Sequence, residues 1–389
     1  WRALWLSRVL VTCIGVGAFL IWGAASRHHA LDPPGLLDHI GSVRDALAAP
    51  VARWDSAWYL LLARDGYAPG PSPAFFPLYP ALVHAAAALG PGLLVGAVLV
   101  SCACLLVGLR LLWLLCESEF PNDPEAPRLA VQLLAFSPMA FFLSAAYSES
   151  LFLAVSLGAF WSARRERWAV AAALGALAAG TRSAGVLMLV PLALLWWQGP
   201  HRSLRDAAWL GLVPLGLLAY CGWLAAIGLD PWAPFHAQQN WFRHFAGPFG
   251  GVWDGTRAAW AGAQQIISGQ RSHVYFAQSG GDPILAGWHN ATLFPFLVAG
   301  AVGLVGVLRR LPLAYGAYVF VALALPLSYP VVPQPLMSLP RFLLVLFPLY
   351  MWGGLALARH ERLRVPALGL SAVLLAVFCA QFATWHWVA

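Results

Sequence analysis

The sequence predicts an all-α polytopic membrane protein with about eleven transmembrane helices. Of its 389 residues, 60% are hydrophobic and only 10% are charged, whereas a soluble domain carries about 25% charged residues. The mean hydropathy is +0.70, and the basic residues are spread thinly between long apolar runs. This spacing is typical of membrane-crossing helices. It excludes an ordinary cytosolic enzyme and a disordered chain, and it argues against nucleic acid as a partner despite the net charge of +7.

A transmembrane helix needs about 20 apolar residues, and eleven segments meet or approach that length. They are 5–25, 92–115, 128–146, 150–163, 168–181, 184–198, 208–229, 291–308, 312–329, 341–358 and 366–385. A twelfth candidate, 74–89, is short and contains Pro77, Pro80 and His84. We assign it to the membrane interface, because only then does each arginine cluster fall on one side of the membrane.

The arginine distribution predicts the orientation of the bundle. With eleven spans, the face that carries the N-terminus holds fourteen arginines and seven acids, and the opposite face holds nine of each. Arginine is enriched in short cytoplasmic loops, so we expect the N-terminus inside and the C-terminus outside. Two long outer segments result, 26–91 and 230–290, in which aromatic residues predict amphipathic helices on the outer leaflet. We interpret residues 1–389 as a single domain.

Cysteine and histidine give no sign of a metal centre. All six cysteines lie within or at the ends of apolar segments, which predicts small buried side chains rather than a disulfide framework. The second outer segment contains four histidines without the spacing of zinc ligands; they are His236, His244, His273 and His289.

Two acidic residues stand beside strongly apolar sequence. Asp55 follows Trp54 at the start of a stretch, 54–65, with helical apolar spacing. Glu149, in Tyr147-Ser148-Glu149-Ser150, lies between two spans and emerges on the same predicted face as Asp55. Each carboxylate has a structural interpretation, stabilisation of a helix N-terminus. The functional interpretations are a general base in an outer-leaflet cleft for Asp55 and a functional intramembrane acid for Glu149.

Two arginines occur where an anionic lipid headgroup would lie. Arg182 interrupts two apolar spans, and Arg341 begins another. A guanidinium group suits phosphate oxygens well, although a snorkelling arginine at a span end is the plainer interpretation. Two acids and two arginines on one face fit the transfer of a group from a lipid phosphate. They fit a proton-coupled transporter or a lipid flippase nearly as well.

Four motifs follow one another over residues 54–185. They are Trp54-Asp55 with Ala63-Arg64-Asp65-Gly66-Tyr67, then Phe75-Phe76-Pro77-Leu78-Tyr79-Pro80, then Ser137-Pro138 leading into Tyr147-Ser148-Glu149-Ser150-Leu151-Phe152, and last Thr181-Arg182-Ser183-Ala184-Gly185. Together they resemble the GPI mannosyltransferase II (PIG-V-like) family. Ala184 replaces an asparagine of that family's Arg-Ser-Asn-Gly element, and after residue 230 only Pro340-Arg341 is similar to the family.

The resemblance implies a GT-C glycosyltransferase, a class that uses polyprenyl-phosphate sugars outside the cytoplasmic leaflet. It implies transfer of mannose, with inversion, from a dolichol-phosphate-like donor to a hydroxyl of a lipid-linked glycan or similar acceptor. Asp55 would be the catalytic base. The expected substrate-binding residues are Trp54, Tyr79, Tyr147, Glu149, Arg182 and Arg341.

The sequence leaves metal binding open. Asp55 and Glu149 are compatible with sharing a divalent cation, Mg²⁺ or Mn²⁺, although no clear ion cage is visible.

We expect a multi-pass protein of a bacterial plasma membrane, surrounded by membrane lipids, with its active site on the extracytoplasmic side. A third interpretation is a non-catalytic member of an assembly, against which the carboxylate of Asp55 argues mildly.

Overall fold

The computed structural model of the chain describes residues 2–23, 42–90, 92–269, 282–332 and 334–388. These residues form helices and loops, and the only strand-like pairing among them is an isolated antiparallel bridge between Arg243 and Val331. The all-helical prediction is therefore confirmed for this part of the chain. The described α-helices are α1 (Arg2–Trp22), α2 (Ser42–Ala48), α3 (Ser56–Asp65), α4 (Leu78–Ala87), α5 (Leu93–Glu119), α6 (Ala126–Ala135), α7 (Glu149–Arg164), α8 (Trp168–Ala179), α9 (Leu189–Gln198), α10 (Leu204–Trp209), α11 (Leu215–Ala226), α12 (Ala233–His236), α13 (Gly250–Ser268), α14 (Pro283–Arg310), α15 (Leu313–Ser328), α16 (Leu339–Leu344), α17 (Phe347–Arg359) and α18 (Arg364–Ala383). Short 3₁₀ helices lie at Ser72–Ala74, Ala140–Leu143, Ser183–Met188, Leu210–Leu212, Ala237–Trp241 and Glu361–Leu363.

Several of these helices are long and apolar enough to cross a bilayer. By length and composition, the described residues contain five such stretches, namely Arg2–Trp22, Leu93–Glu119, Leu204–Ala226, Pro283–Arg310 and Glu361–Ala383. Shorter apolar helices accompany them, at Leu78–Ala87, Trp168–Ala179, Ser183–Gln198 and Leu313–Ser328. All eleven predicted segments overlap helices in the described part of the chain. The chain is a multi-pass membrane protein, while the number of eleven crossings stays a prediction.

The segment 128–146, predicted as one span, is broken in its second half. α6 ends at Ala135, and a 3₁₀ turn follows at Ala140–Leu143. Pro138 lies between them and has no amide hydrogen with which to continue the helix. Because every residue from 139 to 150 is buried, the broken half of the segment carries the start of α7 into the interior of the bundle.

Arg8 satisfies the backbone at this break. Its guanidinium donates to the carbonyl oxygens of Ala135 and Ala140 at 3.2 and 2.8 Å, and to Ser144 Oγ at 2.7 Å. Carbonyl groups freed at a helix end are costly to leave unpaired away from water. Arg8 is one of the fourteen arginines that the sequence assigned to the face with the N-terminus. Its side chain reaches into the bundle and bonds to residues on both sides of the break.

α14 starts at Pro283, eight residues before the predicted span 291–308. Asp282 caps the helix, since its side chain accepts a hydrogen bond from the amide of Ile284 at 3.0 Å. Proline at the first helical position needs no amide partner and already has a helical φ. The predicted outer segments also include residues 26–41 and 270–281, which lie outside the described residues.

The helices of the outer segments are packed against the bundle. α4 has ten residues, too few to cross a bilayer. Along α13, Trp253 and Trp260 are exposed, as expected for aromatic side chains at a membrane boundary. On its other face, a Cβ added at Gly262 would lie only 2.5 Å from the carbonyl oxygen of Gly287 in α14. α13 therefore packs backbone to backbone on α14.

The prediction that all six cysteines are buried is wrong in part. Cys116 and Cys379 are buried, but Cys13 is exposed on the surface of α1. The remaining three, Cys102, Cys104 and Cys221, are half-buried. Apolar sequence does not imply burial in a membrane protein, because lipid tails are as apolar as the interior.

Aromatic rings join α18 to the segment that leads into α7. The ring of Phe382, near the end of α18, lies 4.9 Å from that of Phe141, measured between centroids. Phe142 contacts Tyr147 at 4.8 Å. Such aromatic pairs add to the free energy gained by burial. They hold the first turn of α7, which carries Glu149, at a defined depth in the bundle.

Candidate active site

Four charged side chains from distant parts of the sequence meet at one end of the bundle. Asp55 Oδ2 lies 2.6 Å from Arg341 Nη1. Arg341 Nε lies 3.2 Å from Glu149 Oε1, and Arg182 Nη1 lies 3.1 Å from the same oxygen. We call Asp55, Arg341, Glu149 and Arg182 the charge cluster. The sequence predicted that these four residues share one face, and the structure brings them into direct contact.

Asp55 is held by Arg341 at the start of α3. Its side chain makes no capping hydrogen bond with that helix, so capping does not account for the carboxylate. Trp54, directly before it, has a φ of 55°, a left-handed conformation that is a genuine outlier for a bulky residue. Backbone strain of this kind concentrates at functional sites. The Asp55 side chain is 22% exposed, so it is both positioned by a partner and accessible to a substrate.

The C-terminal segment lies against Trp54. The Trp54 ring contacts Trp385 and Trp387 edge to face, with centroid distances of 5.7 and 5.0 Å. Arg53 Nε donates to the carbonyl oxygen of Ala383 at 3.1 Å. The residues after α18 thus hold the strained turn that presents Asp55. The sequence placed this segment on the same face as Asp55, but it gave no signal of the contact.

Glu149 is a fully buried carboxylate at the first position of α7. Its charge is balanced by the guanidinium groups of Arg182 and Arg341. Neither of its oxygens accepts a hydrogen bond of good geometry from the residues that the structure describes. An ionised carboxylate has about four acceptor positions, so Glu149 keeps the capacity to accept hydrogen bonds from a hydroxyl-rich ligand.

The two predicted arginines are largely buried, with side chains 15% exposed for Arg182 and 14% for Arg341. Arg182 sits in an extended backbone segment after α8, with φ −155° and ψ 151°. Arg341 belongs to α16, and its guanidinium carbon lies 5.8 and 5.6 Å from the ring centroids of Phe142 and Tyr147. A guanidinium held over aromatic faces gains cation–π stabilisation. Both arginines are therefore oriented before any ligand arrives.

Two tyrosine hydroxyls form hydrogen bonds beside the charge cluster. Tyr147 Oη donates to the carbonyl oxygen of Arg53 at 3.0 Å, which ties the start of α7 to the turn before Asp55. Tyr59 Oη and Ser148 Oγ are hydrogen-bonded at 2.8 Å. Burial, with the nearby charge of Glu149, raises the pKa of Tyr59 to about 12. Tyr59 was not predicted as a site residue from the sequence.

Tyr79, expected to bind substrate, is fully buried in α4. Its hydroxyl donates to the carbonyl oxygen of Ala97 at 3.2 Å and is hydrogen-bonded to Ser101 Oγ at 2.8 Å. Its ring contacts that of Tyr59 at a centroid distance of 5.1 Å. In this structure Tyr79 packs behind Tyr59 and joins α4 to α5, one layer away from the charge cluster.

Arg243 is a further cation at this site that was not predicted from the sequence. Its guanidinium carbon lies 5.6 Å from the ring centroid of Phe342, and that of Arg182 lies 6.0 Å from the same ring. Burial, together with the positive charge of Arg341, lowers the pKa of Arg243. An arginine between aromatic residues of an outer segment, in Trp241-Phe242-Arg243, was the available signal.

A divalent cation, which the sequence leaves open, would have to share its carboxylates with an arginine. Asp55 and Glu149 both contact Arg341, which lies between them. Among the described residues, no three His, Cys, Asp or Glu side chains are grouped so as to hold a metal ion. Of the histidines in the second outer segment, His236 is bonded to Asp230 at 2.7 Å, and His273 lies outside the described residues. The donor set present suits an anion better than a cation.

A cavity of about 420 Å³ lies apart from the charge cluster, between the two outer segments. It is lined by Pro69, Gly70, Pro73, Gly228, Leu229, Asp230, Ala233, His236, Ala237 and Asn240. None of the four cluster residues lines it. The cavity is lined by one acid, Asp230, and no arginine. The cluster joins two carboxylates with two arginines that suit a phosphate, so we take the cluster as the candidate active site.

The chain is similar to known mannosyltransferases over its first half. Residues 16–207 match the family model described as mannosyltransferase (PIG-V). GPI α-1,6-mannosyltransferase 2 of Mus musculus is 33% identical over 181 residues, covering 42% of this chain and 36% of the relative. The human protein of the same name is 30% identical over 196 residues, covering 46% of this chain and 38% of the relative. The match thus spans somewhat more than a third of the length of these relatives.

Two solved structures of the Archaeoglobus fulgidus oligosaccharyltransferase also resemble the chain. The apo form has 12% sequence identity, covers 99% of this chain and 57% of that chain, and has a TM-score of 0.45. The form tethered to an acceptor peptide has 11% identity, covers 98% and 55%, and has the same TM-score.

The family match includes three members of the charge cluster, Asp55, Glu149 and Arg182, and leaves Arg341 outside. It also includes all four motifs that were found between residues 54 and 185. Over residues 16–207, the chain is similar to the PIG-V mannosyltransferase family, in agreement with the resemblance that those motifs indicated.

Proposed function

We propose that this chain is an inverting GT-C glycosyltransferase that moves mannose from a polyprenyl-phosphate donor to a hydroxyl of a lipid-linked glycan or similar acceptor. The mannosyltransferase relatives support the sugar and the reaction class. The observation that carries the mechanism is the pairing of Asp55, which is partly exposed, with Arg341 at 2.6 Å. This contact supports the proposal, because the mechanism needs a carboxylate and a guanidinium group side by side.

Asp55 acts as the general base. The acceptor hydroxyl oxygen attacks the anomeric carbon of mannose and forms the new carbon–oxygen bond. The hydroxyl proton passes to a carboxylate oxygen of Asp55, and the bond from the anomeric carbon to the phosphate oxygen breaks, so that its electron pair leaves with polyprenyl phosphate. A positioned base contributes roughly 10²- to 10⁴-fold to such a step.

Arg341 links the base to the leaving group. As negative charge grows on the departing phosphate, a guanidinium beside it stabilises the transition state more than the ground state. The same cation is bound to Asp55 before reaction, so a donor phosphate that draws Arg341 toward itself frees the carboxylate to accept a proton. Arg182 supports this exchange, because it shares the charge of Glu149 with Arg341.

Glu149 positions hydroxyl groups and transfers no proton. Its oxygens are buried, ionically paired and open to further hydrogen bonds. Sugar hydroxyls donate the hydrogen bonds that a carboxylate accepts. Holding a substrate in reactive geometry is a large part of the catalytic effect of an enzyme.

The site faces outward in this proposal. The arginine-rich loops lie on the opposite side of the predicted topology, and that side is cytoplasmic by the positive-inside rule. We therefore place the reaction at the extracytoplasmic face of a plasma membrane, where polyprenyl-linked sugars and glycolipid acceptors are both within reach of the cluster.

The test measures release of polyprenyl phosphate by the protein in nanodiscs, with polyprenyl-phosphate mannose and a membrane-lipid extract as the source of acceptors. Asp55→Asn is expected to lower kcat roughly 10²- to 10⁴-fold while donor affinity changes little. Asp65→Asn is the matched control, because Asp65 ends the same helix and its exposed side chain is bonded to Arg64. It should retain wild-type turnover.

Each contrary result has a defined meaning. Loss of donor binding together with turnover in Asp55→Asn would contradict the base assignment. Wild-type protein that moves the intact donor between leaflets without releasing polyprenyl phosphate would favour a transporter or flippase. A run with EDTA tests the metal. We expect turnover to persist, and loss that Mn²⁺ or Mg²⁺ restores would mean that an ion displaces Arg341 from between the carboxylates.

A further inference from the structure

The charges of the cluster cancel before a donor binds. Asp55 and Glu149 supply two negative charges, and Arg341 and Arg182 supply two positive charges, each arginine within 3.2 Å of a carboxylate. An incoming phosphate would compete with these carboxylates for both arginines. A neutral, internally paired cluster attracts an anion weakly, so binding a lipid phosphate calls for a cation that is not already paired.

Arg243 is such a cation. Among the residues that the structure describes, its side-chain hydrogen bond goes to a neutral group, the carbonyl oxygen of Tyr329, at 3.0 Å. No carboxylate is found in ion-pair contact with it in the same residues. With Arg243 included, the site holds three arginines and two acids and carries one net positive charge.

Arg243 is close to the cluster. Its guanidinium and that of Arg182 contact the same ring, Phe342, so the two guanidinium carbons can be no further apart than the sum of 5.6 and 6.0 Å. Phe342 directly follows Arg341 in α16. The field of Arg341 contributes to lowering the pKa of Arg243, after burial itself. Two cations near one ring repel each other until an anion lies between them.

The backbone holds Arg243 in this place. Residues 242–246 run antiparallel to residues 328–332, with hydrogen bonds from His244 N to Pro330 O at 3.3 Å, from Ala246 N to Ser328 O at 3.1 Å and from Val332 N to Phe242 O at 3.2 Å. The second outer segment is thereby tied to the chain that leads into α16. Preorganisation of this kind lowers the entropic cost of binding.

We propose that Arg243 is the primary binding residue for the phosphate group of the lipid-linked donor, with Arg182 as its neighbour on the other side of Phe342. This inference rests on the proposed function and deepens it. Arg243 binds the phosphate in the ground state and in the product, whereas Arg341 is exchanged from Asp55 to the phosphate during reaction. Removal of Arg243 should therefore change mainly KM for the donor, and replacement of Arg341 should change mainly kcat.

Removal of Arg243 is expected to act on donor affinity. A charge-assisted hydrogen bond contributes enough that its loss corresponds to roughly 10- to 100-fold in binding. Because the interaction is similar in the ground state and the transition state, Arg243→Gln should raise KM for polyprenyl-phosphate mannose by that factor and change kcat less than threefold. The product, polyprenyl phosphate, should lose affinity by the same factor.

The experiment measures binding of polyprenyl phosphate to nanodisc-embedded protein and, separately, KM and kcat for polyprenyl-phosphate mannose. Arg243→Gln is compared with Arg243→Lys, which keeps the charge, and with Arg257→Gln, which removes an exposed arginine from α13 in the same outer segment. We expect weaker binding in Arg243→Gln, partial recovery in Arg243→Lys and wild-type behaviour in Arg257→Gln. The thermal unfolding of each variant shows that it is folded.

Three results overturn the inference. The first is an unchanged affinity of folded Arg243→Gln for polyprenyl phosphate. The second is an equal loss of affinity in Arg257→Gln, which would indicate an effect of general surface charge. The third is a decrease in Arg243→Gln that affects kcat alone. Failure of the proposed function looks different, because the wild type would then bind polyprenyl phosphate through Arg243 and transfer no sugar. The measurement of polyprenyl phosphate binding tests the role of Arg243 in either case.

Discussion

Replacing Glu149 with glutamine tests how much the charge cluster contributes to stability. Glutamine keeps the shape of the side chain and removes its charge. Arg182 and Arg341 would then remain largely buried, at 15% and 14% exposure. Arg341 keeps Asp55 as a partner, whereas Arg182 loses the one carboxylate with which it is paired in the described part of the chain.

The expected cost is close to that of breaking a buried ion pair. Removing one partner of such a pair destabilises a protein by about 3–5 kcal/mol, because the remaining charge stays buried. Both arginines retain some contact with solvent, so we expect a value near the lower limit. Glu125→Gln is the matched control. Glu125 pairs with Arg128, and both side chains are nearly half exposed, so little change is expected.

The assay follows thermal unfolding of the purified variants in one nanodisc composition and at one heating rate, since unfolding of a membrane protein is often irreversible. Glu149→Gln should unfold several degrees below both the wild type and Glu125→Gln. Adding Arg182→Gln removes the stranded charge, so the double variant should be more stable than the sum of the single effects, with a coupling of about 1–3 kcal/mol.

Two results would refute this reasoning. The first is a shift for Glu149→Gln no larger than that for Glu125→Gln, which would mean that the carboxylate is neutral or hydrated in the membrane. The second is strict additivity with Arg182→Gln, which would mean that the 3.1 Å contact between the two side chains carries no net energy.

Two further predictions concern Arg341 and the contact between α13 and α14. Arg341→Lys keeps the charge but cannot contact Asp55 and Glu149 through two separate nitrogens, as Nη1 and Nε do; kcat should fall at least tenfold, and turnover within twofold of wild type would contradict the bridging role. Gly262→Ala should lower the free energy of unfolding by about 1–3 kcal/mol, because its Cβ would meet the backbone of α14 at 2.5 Å. Gly222→Ala, with nothing within 4 Å of its Cβ, should leave thermal unfolding unchanged, and equal shifts in the two variants would refute close packing as the cause.

The helical architecture could be predicted because it follows from local sequence. A helix satisfies its own backbone hydrogen bonds, so long apolar runs in a bilayer leave few alternatives. The prediction was wrong where the chain departs from one uninterrupted helix, over 128–146. There Pro138 breaks the segment and Arg8, more than a hundred positions away, satisfies the freed carbonyls. The sequence around Pro138 does not indicate that Arg8 is the partner of these carbonyl groups.

The candidate site could be predicted to the level of residue identity. Asp55, Glu149, Arg182 and Arg341 stand out because a charge beside apolar membrane sequence is costly and needs a reason. The sequence also placed them on one face, because the number of spans between them determines the side on which each emerges. The four motifs indicated the same family that the match over residues 16–207 gives.

Only the tertiary structure decided which charges are paired. Arg341 contacts the carboxylate of Asp55, 286 positions earlier in the chain. Glu149 is a buried, doubly paired carboxylate because Arg182 and Arg341 both contact it. The same applies to Arg243, whose place beside Phe342 depends on pairing between two loops. Hydrophobic spacing and charge counts indicate where each segment lies relative to the membrane. The distances that set ion pairs, and with them the chemistry of the site, arise only when the segments pack against one another.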